Sequence, residues 1–164
     1  MAQMTDPLAA LISFQKAFKG GAISLQPGSI DPEVFVHMDQ PNDSTRFTYV
    51  RLDRRTVTAL AMLVQVPPLD GLPCFQLGYA VPEKYRAQGR AKGIVAAATA
   101  ELERALTRNG VRAFCIETVV GSDNEPSMRV AAATISSFPV SITDELSGLP
   151  ALHYVRKVET GSAR

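Results

Sequence analysis

The sequence predicts a mixed α/β domain on one sheet of about six or seven strands. Most are antiparallel, with a central parallel pair and flanking helices. Three observations predict this. Short runs rich in Val, Thr, Leu and aromatic residues read as strands. A long amphipathic helix separates two of them, and such a crossover requires a parallel pair. With 164 residues the chain is sized for a single domain, 1–164, whose core needs no staples.

The first element is a helix. Asp6 can cap it, Pro7 suits its first position and Gly20-Gly21 ends it. Leu8, Leu11, Ile12 and Phe18 recur at helical spacing as one apolar face. Pro27-Gly28 marks a turn, and residues 33–38 form a short strand. Residues 46–52 and 56–66, separated by Asp53-Arg54-Arg55, form a hairpin. Pro67-Pro68, Gly71 and Pro73 read as a loop before a strand at 74–81, which stops at Pro82. The long helix spans 89–109. Ile94, Val95, Ala98, Leu102 and Leu106 make its stripe, while Arg90, Glu101, Arg104 and Arg108 fall largely off it. A strand at 111–120 is apolar on both faces, as a central strand is. A second helix at about 125–135 and strands at 139–143 and 152–158, around Gly148-Leu149-Pro150, complete the chain.

Composition narrows the function. A 46% hydrophobic and 20% charged chain is not disordered. Seventeen Lys and Arg against sixteen Asp and Glu give no duplex-binding surface, so no nucleic-acid partner is expected. Cys74 and Cys115 form no CxxC and read as buried hydrophobes. His37 and His153 lie in separate segments without HExxH, so no metal is expected and each reads as a polar strand-surface residue. Arg51, Arg54 and Arg55 read as a solvated hairpin tip or as an attractor for anions. The first residues lack the order of a signal peptide, and no apolar run approaches about 18 residues. A cytoplasmic protein with no membrane partner is the expectation.

Residues 81–93, VPEKYRAQGRAKG, take a buried strand through a polar turn into a helix N-terminus. Unpaired N–H groups and the positive end of the helix dipole collect there, so the turn can hold a phosphate. Gly89 lets the main chain approach an anion, Ala91 keeps the first turn uncrowded, and Lys84, Arg86, Arg90 and Lys92 add mobile positive charge. Neither GxxxxGK[ST] nor GxGxxG is present. The same residues also suit an ordinary basic loop before an amphipathic helix.

Arg86-Ala87-Gln88-Gly89-Arg90-Ala91 fits the R/Q-x-x-G-x-G/A motif of the GNAT superfamily of acyl-CoA N-acyltransferases. The resemblance extends over roughly 75–135, through Gly78-Tyr79-Ala80-Val81, Ile116-Glu117 and Asn124-Glu125-Pro126-Ser127-Met128-Arg129-Val130-Ala131. The last stretch is similar to the N-x-x-S-x-R-V-A spelling of the branch that acetylates the N-termini of ribosomal proteins.

The resemblance implies a GNAT-like sheet whose parallel pair splays around acyl-CoA, with acetyl-CoA as co-substrate and no metal. The main chain of Tyr79 to Val81 would pair with pantetheine, and the Val81 amide would face the thioester oxygen. The amides of Arg86, Ala87, Gln88, Gly89, Arg90 and Ala91 would hold the pyrophosphate. Asn124 and Ser127 would lie near the sulfur, although Asn124 equally suits a helix N-cap. Glu117, a carboxylate inside an apolar run, is the candidate base or else the partner of an arginine. Two departures stand out. Ala131 occupies the place where many members carry a tyrosine acid, leaving Ser127, then Tyr154 and Tyr85. Ser136-Ser137-Phe138-Pro139 replaces the usual Gly-Phe.

The reaction implied is acetyl transfer from acetyl-CoA to a primary amine of a small molecule, peptide or protein, by a chain that is a homodimer by family habit. The alternatives are a GNAT-fold module that senses acyl-CoA without turnover, motivated by Ala131, and an interaction subunit that has lost the ligand.

Overall fold

In the computed structural model, which describes residues 6–161, the longest strands sit at the centre of an eight-stranded sheet. The predicted domain 1–164 also includes residues 1–5 and 162–164, which lie outside the described residues. The strands are β1 (Gln26–Pro27), β2 (Val34–Asp39), β3 (Arg46–Asp53), β4 (Thr56–Leu69), β5 (Leu72–Ala80), β6 (Ala113–Gly121), β7 (Val140–Thr143) and β8 (Pro150–Glu159). Their spatial order is β1-β2-β3-β4-β5-β6-β8-β7, and among the described residues only β5 and β6 run parallel.

The count exceeds the expected six or seven. The extra strand is β1, two exposed residues at the predicted turn, paired with Phe35 and Val36. Two residues carry no period, so no sequence pattern announces them. The proline loop is also a hairpin. β4 continues through Pro67 and Pro68, a register shift between Val66 and Leu69 accommodates them, and the chain reverses at Asp70-Gly71. Both turn residues have positive φ, 51° and 76°, the conformation that an Asp-Gly pair favours.

Helices cover both faces. α2 (Arg90–Arg108) and α3 (Glu125–Thr134) lie on one. There Ile94, Val95, Ala98 and Leu102 are fully buried against Leu63, Phe75, Phe114 and Ile116. The other carries α1 (Pro7–Lys19), whose Leu11 and Phe14 pack on Val50, Val57, Leu60 and Met62. Asp6 caps α1 as expected, Oδ2 accepting from the Ala9 N–H at 3.3 Å. Its buried stripe is rotated from the predicted one, however, for Leu8 and Ile12 are exposed.

β5 and β6 pair over three rungs only: Cys74 with Cys115, Phe75 with Ile116 and Gln76 with Glu117. Beyond them β5 stays bonded to β4 as far as Ala80, and β6 to β8 as far as Gly121. Each strand is held by its outer neighbour while the inner edges part. The gap so formed positions everything that follows.

Candidate active site

The gap opens into a cleft of about 1730 Å³. Past the paired rungs β5 and β6 are still linked by Thr118, whose hydroxyl donates to the Leu77 carbonyl at 2.9 Å. That bond shows which side of β5 faces β6. Alternate residues of an extended strand direct their main-chain groups the same way, so Tyr79 shares Leu77's parity and faces the gap, while Val81 follows just beyond the strand's end and lines the cleft. The Val81 carbonyl accepts from Arg86 Nε at 3.0 Å, which ties the end of the strand to the next turn.

That turn has a backbone geometry that suits an anion. A 3₁₀ turn over Glu83–Tyr85 leads to Ala87 and Gly89, both left-handed, with φ of 60° and 73°. Gly89 is the N-cap of α2, and its carbonyl accepts the first helical bond, from the Gly93 N–H at 3.0 Å. The N–H groups of Arg90, Ala91 and Lys92 precede that bond and have no acceptor within the helix. A Cβ on Gly89 would meet nothing within 4 Å, so the space above the turn is open.

The positive charge is fixed rather than mobile at two of the four predicted positions. Arg86 is held by the Val81 carbonyl. Arg90 donates from Nη1 to the buried Thr58 hydroxyl at 3.2 Å and from Nε to Gln88 Oε1 at 3.0 Å, with its guanidinium 5.1 Å from the Tyr85 ring centre. These tethers set the turn's shape. The Arg86 N–H, expected to face an anion, instead donates to the Glu83 carbonyl at 3.2 Å and closes the 3₁₀ turn.

At the other end of the gap Glu117 occupies the last paired rung of β6. Its Oε2 lies 2.9 Å from Nε2 of His153 on β8, and both side chains are partly open to the cleft. His153 therefore belongs to the site and is not merely a strand-surface residue. β8 runs antiparallel to β6 with Val119 opposite His153, which sets Glu117 and His153 diagonally on one face.

No protein-family model and no curated protein sequence matches the chain. Solved structures do. The ribosomal-protein-S5-alanine acetyltransferase from Vibrio fischeri aligns with a TM-score of 0.52 at 12% identity, over 74% of this chain and 64% of that one. A ribosomal L7/L12 alpha-N-protein acetyltransferase in complex with coenzyme A also aligns at 0.52, with 18% identity over 71% and 64%. A NatC complex bound to Gag peptide and coenzyme A aligns at 0.50, with 15% identity over 68% and 70%. The chain has the GNAT fold. It spans about two thirds of the length of these relatives, and identities this low speak for the fold alone.

Of the residues singled out for the GNAT site, all but Gln88 line the one cleft. Gln88 turns its side chain to Arg90 instead. Asn124 does cap α3, Oδ1 accepting from the Ser127 N–H at 3.2 Å, and still lines the cleft. The Ser127 carbonyl accepts from the Tyr79 hydroxyl at 2.8 Å. Burial pushes that hydroxyl up to about 12, so it stays protonated and joins β5 to α3 across the gap.

Other candidates for the acid recede. Tyr154 is a core residue, and Tyr85 packs against Arg90 and Lys84; the usual tyrosine's place is held by the fully buried Ala131, which has no proton to give.

The cysteines are buried register partners in β5 and β6. Burial, with smaller contributions from Glu117 and Cys115, pushes the Cys74 thiol up to about 12, and burial raises Cys115 as well. Since the thiolate is the reactive form, neither should react with an aromatic disulfide at pH 8 until the chain unfolds. Two rapid equivalents in native buffer would contradict this. In the unfolded chain the thiols ionise at their lower, ordinary values, so the unfolded state releases protons first. Stability should therefore fall as pH rises through that range.

Proposed function

We propose that the protein transfers an acetyl group from acetyl-CoA to a primary amine by direct attack on the thioester. One observation carries the reading. A single cleft runs from a left-handed, glycine-capped helix start, along unpaired strand edges, to a carboxylate–imidazole pair. Phosphates suit the first, an extended amide chain such as pantetheine suits the second, and proton transfer suits the third. The residues present fit acetyl-CoA: the open space over Gly89 admits the pyrophosphate, and Tyr79 and Val81 offer main-chain partners. Asn124 and Ser127 border the sulfur end.

In the reaction the amine nitrogen attacks the carbonyl carbon, the C–N bond forms and the C–S bond breaks with its electron pair on sulfur. The Val81 N–H, on a residue that lines the cleft, is the donor assigned to stabilise charge on the carbonyl oxygen, an effect of about 3 kcal/mol for one such donor. One proton leaves the incoming ammonium toward the Glu117–His153 pair. A second leaves the nitrogen as the amide forms and reaches the thiolate, with Ser127 the candidate donor on that side. A peptide or protein amine is supported as acceptor class, since two of the structural relatives are named for ribosomal-protein substrates and a third holds a peptide.

Glu117→Gln should lower turnover about 100-fold or more while leaving acetyl-CoA affinity within twofold. Thiol release over a panel of amines, beside calorimetry, checks both. Buried Ala131, without a proton to give, favours the second reading of a sensing module. Tight coenzyme binding with no thiol released by any amine would establish that reading instead.

A further inference from the structure

Glu117 is not alone at the mouth of the gap, and its contact specifies more than a carboxylate base. A carboxylate oxygen without a proton only accepts hydrogen bonds. At 2.9 Å from Glu117 Oε2, His153 Nε2 is then the nitrogen that donates, so whenever the ring is neutral its proton sits on Nε2. This leaves Nδ1 bare, on a ring that is itself part of the cleft wall. Resting on the acetyl-transfer reading above, we infer that His153 Nδ1 receives the proton from the amine, while Glu117 fixes the tautomer and orientation of the ring.

Electrostatics favour this division of work. An imidazole that takes a proton beside a carboxylate becomes one half of an ion pair, so the charge created is neutralised where it forms. A carboxylate that takes the proton itself loses its charge and with it the charge-assisted part of its bond to the ring. The pair is supported from both sides, because β6 and β8 remain in register from Ala113 to Gly121. The ring is therefore placed by the sheet rather than by a loop. The step balances: His153 gains the ammonium's first proton, the amide nitrogen's second goes to the thiolate, and the imidazolium returns its proton to water.

The remaining charged groups of the cleft are the carboxylates Asp6, Asp144 and Glu145, with Arg86, Arg90, Lys92 and Arg129 among its cations. They are common to wild type and variants, so a difference between the two isolates the pair.

His153→Gln keeps an N–H able to reach Glu117 but has no basic nitrogen. It should bind acetyl-CoA normally, lose about 100-fold in kcat with little change in KM for the amine, and lose the rise of kcat with pH. Combining it with Glu117→Gln should cost little more, since the two act as one unit. A second readout needs no acceptor. With two histidines in the chain, long-range ¹H–¹⁵N correlation assigns each tautomer, and neutral His153 should carry its proton on Nε2 in wild type and on a mixture in Glu117→Gln. A proton on Nδ1, or wild-type kcat and pH profile in His153→Gln, overturns the inference. Loss of acetyl-CoA binding by the wild type, or no thiol release with any amine, overturns instead the acetyl-transfer reading beneath it.

Discussion

Gly89→Glu should abolish acetyl-CoA binding, and no other single substitution is expected to affect the cofactor site as strongly. Two costs combine. The position has φ of 73°, where a side chain costs about 1–2 kcal/mol. The new carboxylate also enters the open space beside the first amides of α2, which is where a diphosphate would have to lie. Like charges there oppose binding, and the side chain satisfies the amides itself. The fold should survive. A Cβ at Gly89 meets nothing within 4 Å, so the variant bears only the backbone strain, a fall of roughly 2–8 °C in Tm for a domain of this size. Gly89→Ala shares the strain without the charge and should keep most of the affinity. Calorimetry on all three proteins decides the matter. Undiminished binding by Gly89→Glu in a folded protein would mean that the turn cradles no phosphate.

The legible part of this site is its local part. The strand–turn–helix at 81–93 is written in contiguous residues, each with its own conformational requirement, and it occurs where the sequence places it. The parallel pair follows from the crossover alone. What escapes is set by register and by distant partners. His153 has no local signal, and it meets Glu117 only because β8 pairs with β6 with Val119 opposite it. An alignment of the two strands in antiparallel register would have placed both on one face. The buried stripe of α1 is misjudged because helical spacing fixes which residues share a face, not how the helix rolls on the sheet. Leu8 and Ile12 are exposed, Leu8 at the cleft wall, while Phe14 goes inward. The tethering of Arg86 and Arg90 is equally unwritten, since a carbonyl at Val81 and a hydroxyl at Thr58 are reached only in the folded chain.

Glu101 shows the same limit most sharply and supports the largest stability prediction. By period it falls on the polar side of α2, yet it is buried, 6% exposed. Its Oε2 accepts from the Ser29 N–H at 2.8 Å, and its Oε1 from those of Ile30 and Asp31 at 2.8 and 2.9 Å. The loop before β2 closes so tightly over the carboxylate that a Cβ on Gly28 would stand 2.7 Å from Oε1. Glycine is required there by space, not by a positive φ. Glu101→Ala removes all three acceptors at once and leaves part-buried donors to find water. Hydrogen bonds to charged groups contribute about 1.5–3 kcal/mol each and do not add fully, so the unfolding free energy should fall by roughly 3–5 kcal/mol. Urea denaturation followed by circular dichroism measures it. Glu101→Gln should lose less, because the amide oxygen still accepts while its NH₂ opposes a donor. A loss below about 1 kcal/mol for the alanine variant would show that the loop's amides are satisfied without the carboxylate. The cradle lies at the N-terminal start of α2, about ten residues and 15 Å along the helix from Glu101. Under conditions where Glu101→Ala remains folded, acetyl-CoA affinity should therefore match wild type, separating what anchors the helix from what its N-terminus binds.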